Sequence, residues 1–392
     1  MKIAIVVQGR FHAFDLARAL LARGHDVRIF TNYPGWAMER FGFPAERVTS
    51  FPLHGILSRI GNRLNAKTGW LSEPLLHPLF SRWARRQLRR ESWDVIHAWS
   101  GVSEEIYADP AFESSLKLIM RGSAEIQAQA LLLSEEQRRV GVTVEQPSSW
   151  IIGREQREYL LADKIIVLST FAYNTFLAAG IEAEHLRLLP LGADNRAFRP
   201  GPEVVEERRK RMLSGARLRV LYVGNISFQK GLFDLRHVVE ALSVRFEFRF
   251  VGQVTKEAGK TVAALGSKAE FTGRKPQREL PHDYSWADIF IFPTVQDGYA
   301  VVLGHAAAGG LPILTTPNCS GPDIVRHGAT GWILPIRNPG AFVAQLEWCD
   351  IHRTELAAMA AAAYHDSRTR DWSNVAADFE AICVDERSTK VA

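Results

Sequence analysis

Several familiar signatures are missing from this chain. Cysteine is scarce: Cys319, Cys349 and Cys383 stand far apart and are odd in number. They build neither a disulfide framework nor a zinc spacing, and a reducing cytoplasm is the compartment they fit. The dinucleotide fingerprint Gly-x-Gly-x-x-Gly does not occur, which argues against a hydride-transfer enzyme. A P-loop is absent too. Residues Gly259 to Thr261 end like one, but Val254 stands where its first glycine is required. No two aspartates stand two apart to hold a metal on a diphosphate, and the histidines have no ligand spacing. No metal and no cofactor are therefore expected, and protein groups would have to neutralise any bound diphosphate. The opening MKIAIVVQGRFHAF lacks a small-residue cleavage site and reads as a buried first strand. The uncharged residues 299–316 include His305, Gly309, Gly310 and Pro312, and are too interrupted to span a membrane.

What is present is a globular composition, with 46% hydrophobic and 23% charged residues in 392. That length suggests two domains. The net charge of +5 is unevenly spread. Arg59, Arg63, Lys67, Arg82, Arg85, Arg86, Arg89 and Arg90 face Glu73 alone, interleaved with Ile56, Leu57, Ile60, Leu64, Trp70 and Trp83. A basic amphipathic surface over residues 56–90 suits anionic lipid headgroups or an anionic acceptor; a solvated helix face beside the core is the alternative. The expected location is cytoplasmic, with peripheral contact on the inner face of the cell membrane. No nucleic-acid-binding motif accompanies the charge, so nucleic acid is not an expected partner.

Apolar, β-branched runs begin at Lys2, Asp26, Trp93, Leu116 and Asp163, and again at Arg219, Phe248, Ala287 and Leu311, with helical patterns between them. Continuous apolar strands alternating with helices predict an α/β fold of parallel sheets covered on both faces. The Pro-, Gly- and charge-rich stretch from PLGADNRAFRPG onward marks the domain boundary. The reading is a first domain over 1–192 and a second over 193–370. The final segment, 371–388, has Trp372, Val375, Ala376, Phe379 and Ile382 on one helical side. It is expected to pack back on the first domain. Two doubly wound, Rossmann-like domains facing a cleft are predicted.

Two stretches carry candidate phosphate chemistry. In LYVGNISFQKG a strand ends, Gly224 lets the chain turn closely, and Lys230 can reach a phosphate leaving group. In FPTVQDGYAVVLGHAAAGG an acid, Asp297, precedes Gly298, and the amides opening the next helix can point at phosphate oxygens. In the first domain Gly9, Arg10 and His12 follow the opening strand, where a loop meets acceptor or phosphate. His97 and the stretch MRGSAEIQ, with Arg121 and Glu125, are placed at the carboxyl ends of strands, where open α/β sheets bind ligands.

VGNISFQKG, the donor-like segment VQDGYAVVLGHAAAGGLPILTT, LRLLPLGADNRAFRP and EYLLADKIIVLS together resemble the GT-B glycosyltransferases of family 4 over residues 90–350. VVQGRFHAFDLARALLARGHDV resembles the family's opening more loosely. The resemblance implies a retaining, metal-independent transfer from a nucleoside-diphosphate sugar to a saccharide or lipid-linked saccharide, in surface polysaccharide or glycan biosynthesis. It implies that Lys230 contacts the donor diphosphate, that backbone from Gly298 through Tyr299 and Ala300 to Val301 cradles it, and that Asp297 holds donor-sugar hydroxyls. His305 stands where the family has a ribose-binding Glu, and Asn225 replaces a frequent Arg, a charge Arg10 could supply. His12 falls at the site, Glu125 could orient the acceptor hydroxyl or take its proton, and Arg121 could bind phosphate. A ribose-binding His305 would make donor affinity fall with pH near an unperturbed value of about 6.5. Another GT-B enzyme, such as a nucleotide-sugar epimerase, and a non-catalytic binding subunit are the alternatives.

Overall fold

The structure is a computed structural model that describes residues 1–38, 42–68, 72–193, 195–366 and 370–391. Trp70 and Asp194 lie outside the described residues. Two parallel sheets organise the chain. The first contains β1 (Lys2–Val7), β2 (Asp26–Thr31), β3 (Val48–Ser50), β4 (Val95–Trp99), β5 (Leu116–Arg121), β6 (Lys164–Val167) and β7 (Leu186–Leu188), in the order β3-β2-β1-β4-β5-β6-β7. The second contains β8 (Leu218–Val223), β9 (Phe246–Val251), β10 (Glu270–Gly273), β11 (Ile289–Phe292), β12 (Ile313–Thr315) and β13 (Gly331–Ile333), in the order β10-β9-β8-β11-β12-β13.

Each sheet has a central strand with its sequence neighbour on one side and a later strand on the other. Ile3 of β1 pairs with Val27 of β2 and with Val95 of β4. Val220 of β8 pairs with Phe248 of β9 and with Ile289 of β11. Where the strand order reverses, the loops leaving the two adjacent strands diverge and open a crevice at their carboxyl ends. The segments following β1, β8 and β11 therefore meet at the cleft, and these carry Gly9 to His12, Gly224 to Lys230 and Asp297 to Val301.

Two hydrophobic clusters match the two sheets. Ile3, Ile5, Ile29, Ile96, Leu118 and Ile166 are buried in the first, and Val375, Ala376, Phe379 and Cys383 of the terminal helix Trp372–Val391 join them. That helix packs along helix Ala13–Ala22. Leu221, Phe250, Phe290, Ile291 and Leu314 anchor the second.

The four shortest or least apolar strands, β3, β7, β10 and β13, were not expected, and they are the four sheet edges. An edge strand is half solvated, so it needs no continuous apolar run to announce it. His97 also departs from expectation. It lies inside β4, fully buried, its Nδ1 3.2 Å from the Leu118 carbonyl and its ring against Trp99 and Phe379. Burial lowers its pKa to about 3, so it is a neutral core residue rather than a strand-end ligand.

The basic segment divides in two. Helix Glu73–Leu88 and the residues after it turn Arg82, Arg85 and Arg89 toward Glu105 and Asp109, with Arg89 donating twice to Asp109 at 2.7 Å. These charges belong to the domain's own surface. Helix Pro52–Thr68 has no such acids.

Candidate active site

Three cavities run in series through the cleft. One of about 680 Å³ lies in the first domain, between the loops after β1, β2, β4 and β5 and the helical hairpin formed by Pro52–Thr68 and Glu73–Leu88. A second, of about 660 Å³, lies between the two sheets. The third, of about 650 Å³, has a basic lining that includes Arg10, Arg274 and Lys275. The first two share Phe11, His12 and Gly122; the last two share Gln277, Val301 and His305. His12 and His305 therefore stand at the two junctions.

On the second sheet the Lys230 ammonium donates to Asp297 Oδ2 at 2.8 Å and lies 3.4 Å from the Gln296 carbonyl. Both side chains are about one-fifth exposed, so the pair is accessible to a ligand. The local fold explains how they meet. Lys230 precedes Gly231, whose φ of 85° ends the loop and whose missing Cβ lets it sit on the Pro293 carbonyl, 2.1 Å from where a Cβ would be. Gly252 allows an equally close approach on the neighbouring strand's exit, since a Cβ there would lie 1.8 Å from the Gly224 carbonyl oxygen. Asn225 is exposed, and its carbonyl accepts the Tyr222 hydroxyl at 2.7 Å.

The loop after β11 presses directly on the first domain. A Cβ on Gly298 would lie 2.1 Å from the Gly122 carbonyl oxygen and 2.5 Å from Ser123 Cα. Beside it Gln296, wholly buried, donates to Ser123 Oγ and accepts from Gln229 at 3.0 Å. Tyr299 donates to the Leu191 carbonyl at 3.0 Å, tying the same loop to the interdomain segment. The expected amide cradle is satisfied internally in this form. Tyr299 N donates to Asp297 Oδ1 at 3.3 Å, Ala300 N to Ser320 Oγ at 3.1 Å and Val301 N to the Tyr299 carbonyl at 3.1 Å. A phosphate would have to displace these partners to reach the amides.

His305 is 5% exposed and stacks on Phe198 with ring centroids 3.7 Å apart and planes 7° from parallel. Neither ring nitrogen has a partner. Burial lowers its pKa to about 4, so the ring is neutral at any physiological pH. The expected pH dependence near 6.5 is thereby corrected: the titration moves out of the working range. A buried imidazole with two unsatisfied nitrogens carries a desolvation cost of about 1–3 kcal/mol per polar atom, which a hydroxyl-bearing ligand would relieve.

In the first domain His12 lies between Trp99 and Trp372, at centroid distances of 5.1 and 6.3 Å. Its Nε2 is sealed without a partner, and burial lowers its pKa to about 4. Gly9, with φ of 99°, is held by Asn32, whose Oδ1 accepts the Gly9 amide at 2.7 Å, and its carbonyl accepts Thr31 Oγ1 at 2.9 Å. Arg121 lines the first cavity but is engaged by Glu155 at 3.0 Å and by Gln129 at 2.6 Å. Glu125 takes a different place from the one expected. Its carboxylate caps helix Ile126–Val140, accepting from Gln127 N at 2.8 Å and Ala128 N at 2.9 Å, and it lines none of the three cavities. Both bonds go to Oε2, so the side chain is held at the helix start.

Arg274, Lys275 and Gln277 were not foreseen. They follow β10 in TGRKPQREL, whose only signal was a basic turn after a strand too short to recognise. Gln296, beside Asp297, was likewise passed over, since nothing local marks a side chain that reaches across a domain boundary.

The family profile described as Glycosyltransferase Family 4 matches residues 10–107, and that described as Glycosyl transferases group 1 matches residues 217–349. A GDP-mannose-dependent alpha-(1-6)-phosphatidylinositol monomannoside mannosyltransferase of Mycobacterium tuberculosis is 27% identical over 216 residues, covering 51% of this chain and 56% of the relative. The sulfoquinovosyl transferase SQD2 of Arabidopsis thaliana is 30% identical over 185 residues, 46% of this chain and 35% of its own. The chain thus spans about half the length, or less, of these curated relatives. Among solved structures, sucrose-phosphate synthase of Thermosynechococcus elongatus superposes with a TM-score of 0.73 at 16% identity, covering 99% of this chain and 100% of the other. HepE of Anabaena in complex with UDP gives 0.68 at 16% identity, covering 98% and 100%.

Proposed function

Since the chain belongs to glycosyltransferase family 4, with the GT-B fold, we propose that it is a hexosyltransferase acting on a nucleoside-diphosphate sugar. The acceptor is a saccharide or lipid-linked saccharide, and the product belongs to surface polysaccharide or glycan biosynthesis. The observation that carries this reading is the Lys230–Asp297 pair beside the contact of Gly298 with Gly122, flanked by a cavity on the first domain and a basic pocket on the second. The relatives named for mannosyl and sulfoquinovosyl transfer support it.

In this reading the donor diphosphate displaces Asp297 from the Lys230 ammonium. Asp297, so released, accepts hydrogen bonds from donor-sugar hydroxyls. Lys230, with Arg10 and Arg274 from the basic pocket, neutralises the diphosphate without a divalent metal. Neutral His305 accepts one nucleoside hydroxyl and donates to another. His12 Nε2 meets a sugar hydroxyl at the junction with the first cavity. The acceptor oxygen bonds to the anomeric carbon on the face from which the diphosphate oxygen departs, and the acceptor proton passes to that leaving oxygen. Configuration is retained, and the residues position and stabilise charge rather than supply a general base. The free, buried cysteines fit a cytoplasmic site.

The test is a thermal-shift panel of UDP, GDP, ADP and TDP with EDTA present. One nucleotide at about 100 times its Kd should stabilise the wild type by roughly 2.7 kcal/mol, and Lys230→Ala should abolish the shift. Absence of a shift with all four would overturn this reading and favour a non-catalytic binding subunit, in which Lys230 and the loop amides stay satisfied by their own chain.

A further inference from the structure

The two loops that bring Lys230 and Asp297 together are joined by a pair of amides. Gln229 and Gln296 each stand one residue before the charged group. Gln229 Nε2 donates to the Gln296 carbonyl at 3.3 Å and to Gln296 Oε1 at 3.0 Å. This geometry fixes which way round both amides lie. A backbone carbonyl only accepts, so the end of Gln229 that meets it is the nitrogen, and the side-chain atom of Gln296 that meets the same nitrogen is the oxygen. The Gln296 Nε2 is thereby directed at the other wall, where it donates to Ser123 Oγ.

The same peptide anchors the lysine. The Gln296 carbonyl takes Gln229 Nε2, Thr294 Oγ1 at 3.1 Å and the Lys230 ammonium at 3.4 Å. Val295 N and Thr294 Oγ1 both donate to the Gln229 carbonyl, at 2.9 and 3.2 Å, so the two loops are pinned from both sides. Gln296 has no exposed surface; a change at Ser123 leaves a buried donor unsatisfied, and the amide must move to answer it. Ser123 follows Gly122 in the loop after β5, whereas every other member of the network lies in the loops after β8 and β11. The bond from Gln296 to Ser123 therefore depends on the same closeness of the walls that brings Gly298 onto Gly122.

We propose that Gln229 and Gln296 are positioning residues for the diphosphate site. They hold Lys230 and Asp297 in register, and the bond to Ser123 makes that register depend on contact between the two walls. This role rests on the donor reading and adds to it the residues through which the first wall acts on the lysine. Neither glutamine touches phosphate. Their effect passes through Lys230, so a nucleoside diphosphate feels it more than the monophosphate, whose smaller charge has less to gain from the ammonium.

The full chain is titrated by calorimetry with the diphosphate and the monophosphate of the base that the wild type binds among uridine, guanosine, adenosine and thymidine, and the ratio of the two Kd values is read. Lys230→Ala should shrink the preference for diphosphate roughly tenfold or more. Gln296→Met, which keeps the volume and removes the amide, should shrink it about threefold to tenfold, the scale of one hydrogen bond. Gln229→Met should act alike, and since Gln229 is partly exposed it carries the test if Gln296→Met fails to fold. In a Lys230→Ala background Gln296→Met should change the ratio no further, a non-additivity that a merely structural role would not produce. Ser123→Ala should shrink the preference about threefold, and not at all once Gln296→Met is present. A ratio unmoved by both glutamine variants overturns the proposal, as does full additivity with Lys230→Ala. A ratio lowered by the glutamine variants but unmoved by Ser123→Ala overturns the dependence on the first wall alone. No binding by the wild type, or a ratio unmoved by Lys230→Ala, is instead a failure of the donor reading, and the proposal falls with it.

Discussion

The two walls of the cleft hold their charges on different terms. On the second sheet, Lys230 and Asp297 come from loops after adjacent strands, meet at 2.8 Å and remain partly solvated. On the first sheet, Arg121 is buried against Glu155, and Glu125 is spent on helix amides. A partly exposed pair contributes little to stability and is readily exchanged for a ligand. A buried pair or a capping carboxylate cannot be released without leaving polar groups unsatisfied. The comparison teaches that charge near a cleft is no guide to function until its partners are known: the second wall holds its pair partly solvated, while the first holds its charges buried or capping a helix.

The sharpest break of that contrast is Lys230→Ala, which should lower transfer by about 10²–10³ in kcat/KM, the scale of losing one donor to developing charge. Folding should be almost untouched, which a melting curve without ligand checks. Next comes Gly298→Ala. The added methyl meets backbone of Gly122 and Ser123, so the walls must part at the reacting centre. A loss of roughly tenfold to a hundredfold in transfer is expected, with nucleotide affinity by calorimetry changed far less; equal losses in both would assign Gly298 to the donor loop alone.

Glu125→Ala should reverse the pattern. Loss of the cap costs about 1 kcal/mol, a few degrees in Tm, while kcat/KM stays within about twofold. A collapse of activity at unchanged Tm would return Glu125 to the reaction. The smallest effect concerns pH. Burial holds His12 and His305 near 4 and His97 near 3. Each folded-state value is depressed, so the stability these groups contribute is complete above about 6.5, their unfolded value, and is lost as pH falls toward 4. Donor affinity should accordingly be flat from about pH 5.5 to 8, and denaturation midpoints should fall only on the acid side. An inflection of affinity near pH 6.5 would show His305 to be solvated.

Much of this architecture was legible in the sequence, for reasons that also explain the gaps. Central strands are buried on both faces, so β1, β4, β5, β8 and β11 are predominantly apolar and declare themselves. The edges β3, β7, β10 and β13 are not, and with β10 the basic turn carrying Arg274 and Lys275 was lost. Lys230 and Asp297 were readable because a glycine beside each marks a tight strand-to-helix turn. His97 and Glu125 were misread because an apolar strand and a helix start look the same whether the polar residue faces a ligand or its own backbone.

By itself, then, the sequence determined the alternation of strand and helix, the break between two sheets and the loops that carry Lys230 and Asp297. These are properties of periodicity and of glycine placement, and both act over a few residues. Only the tertiary structure decided which charges stay partly solvated, that Gly298 abuts Gly122, that His305 is stacked and buried, and that Arg59 and Arg63 have no ion pair among the described residues where Arg82, Arg85 and Arg89 do. Each of those outcomes depends on a partner from a distant part of the chain, and local pattern reports that a residue is buried or charged without naming what it will meet.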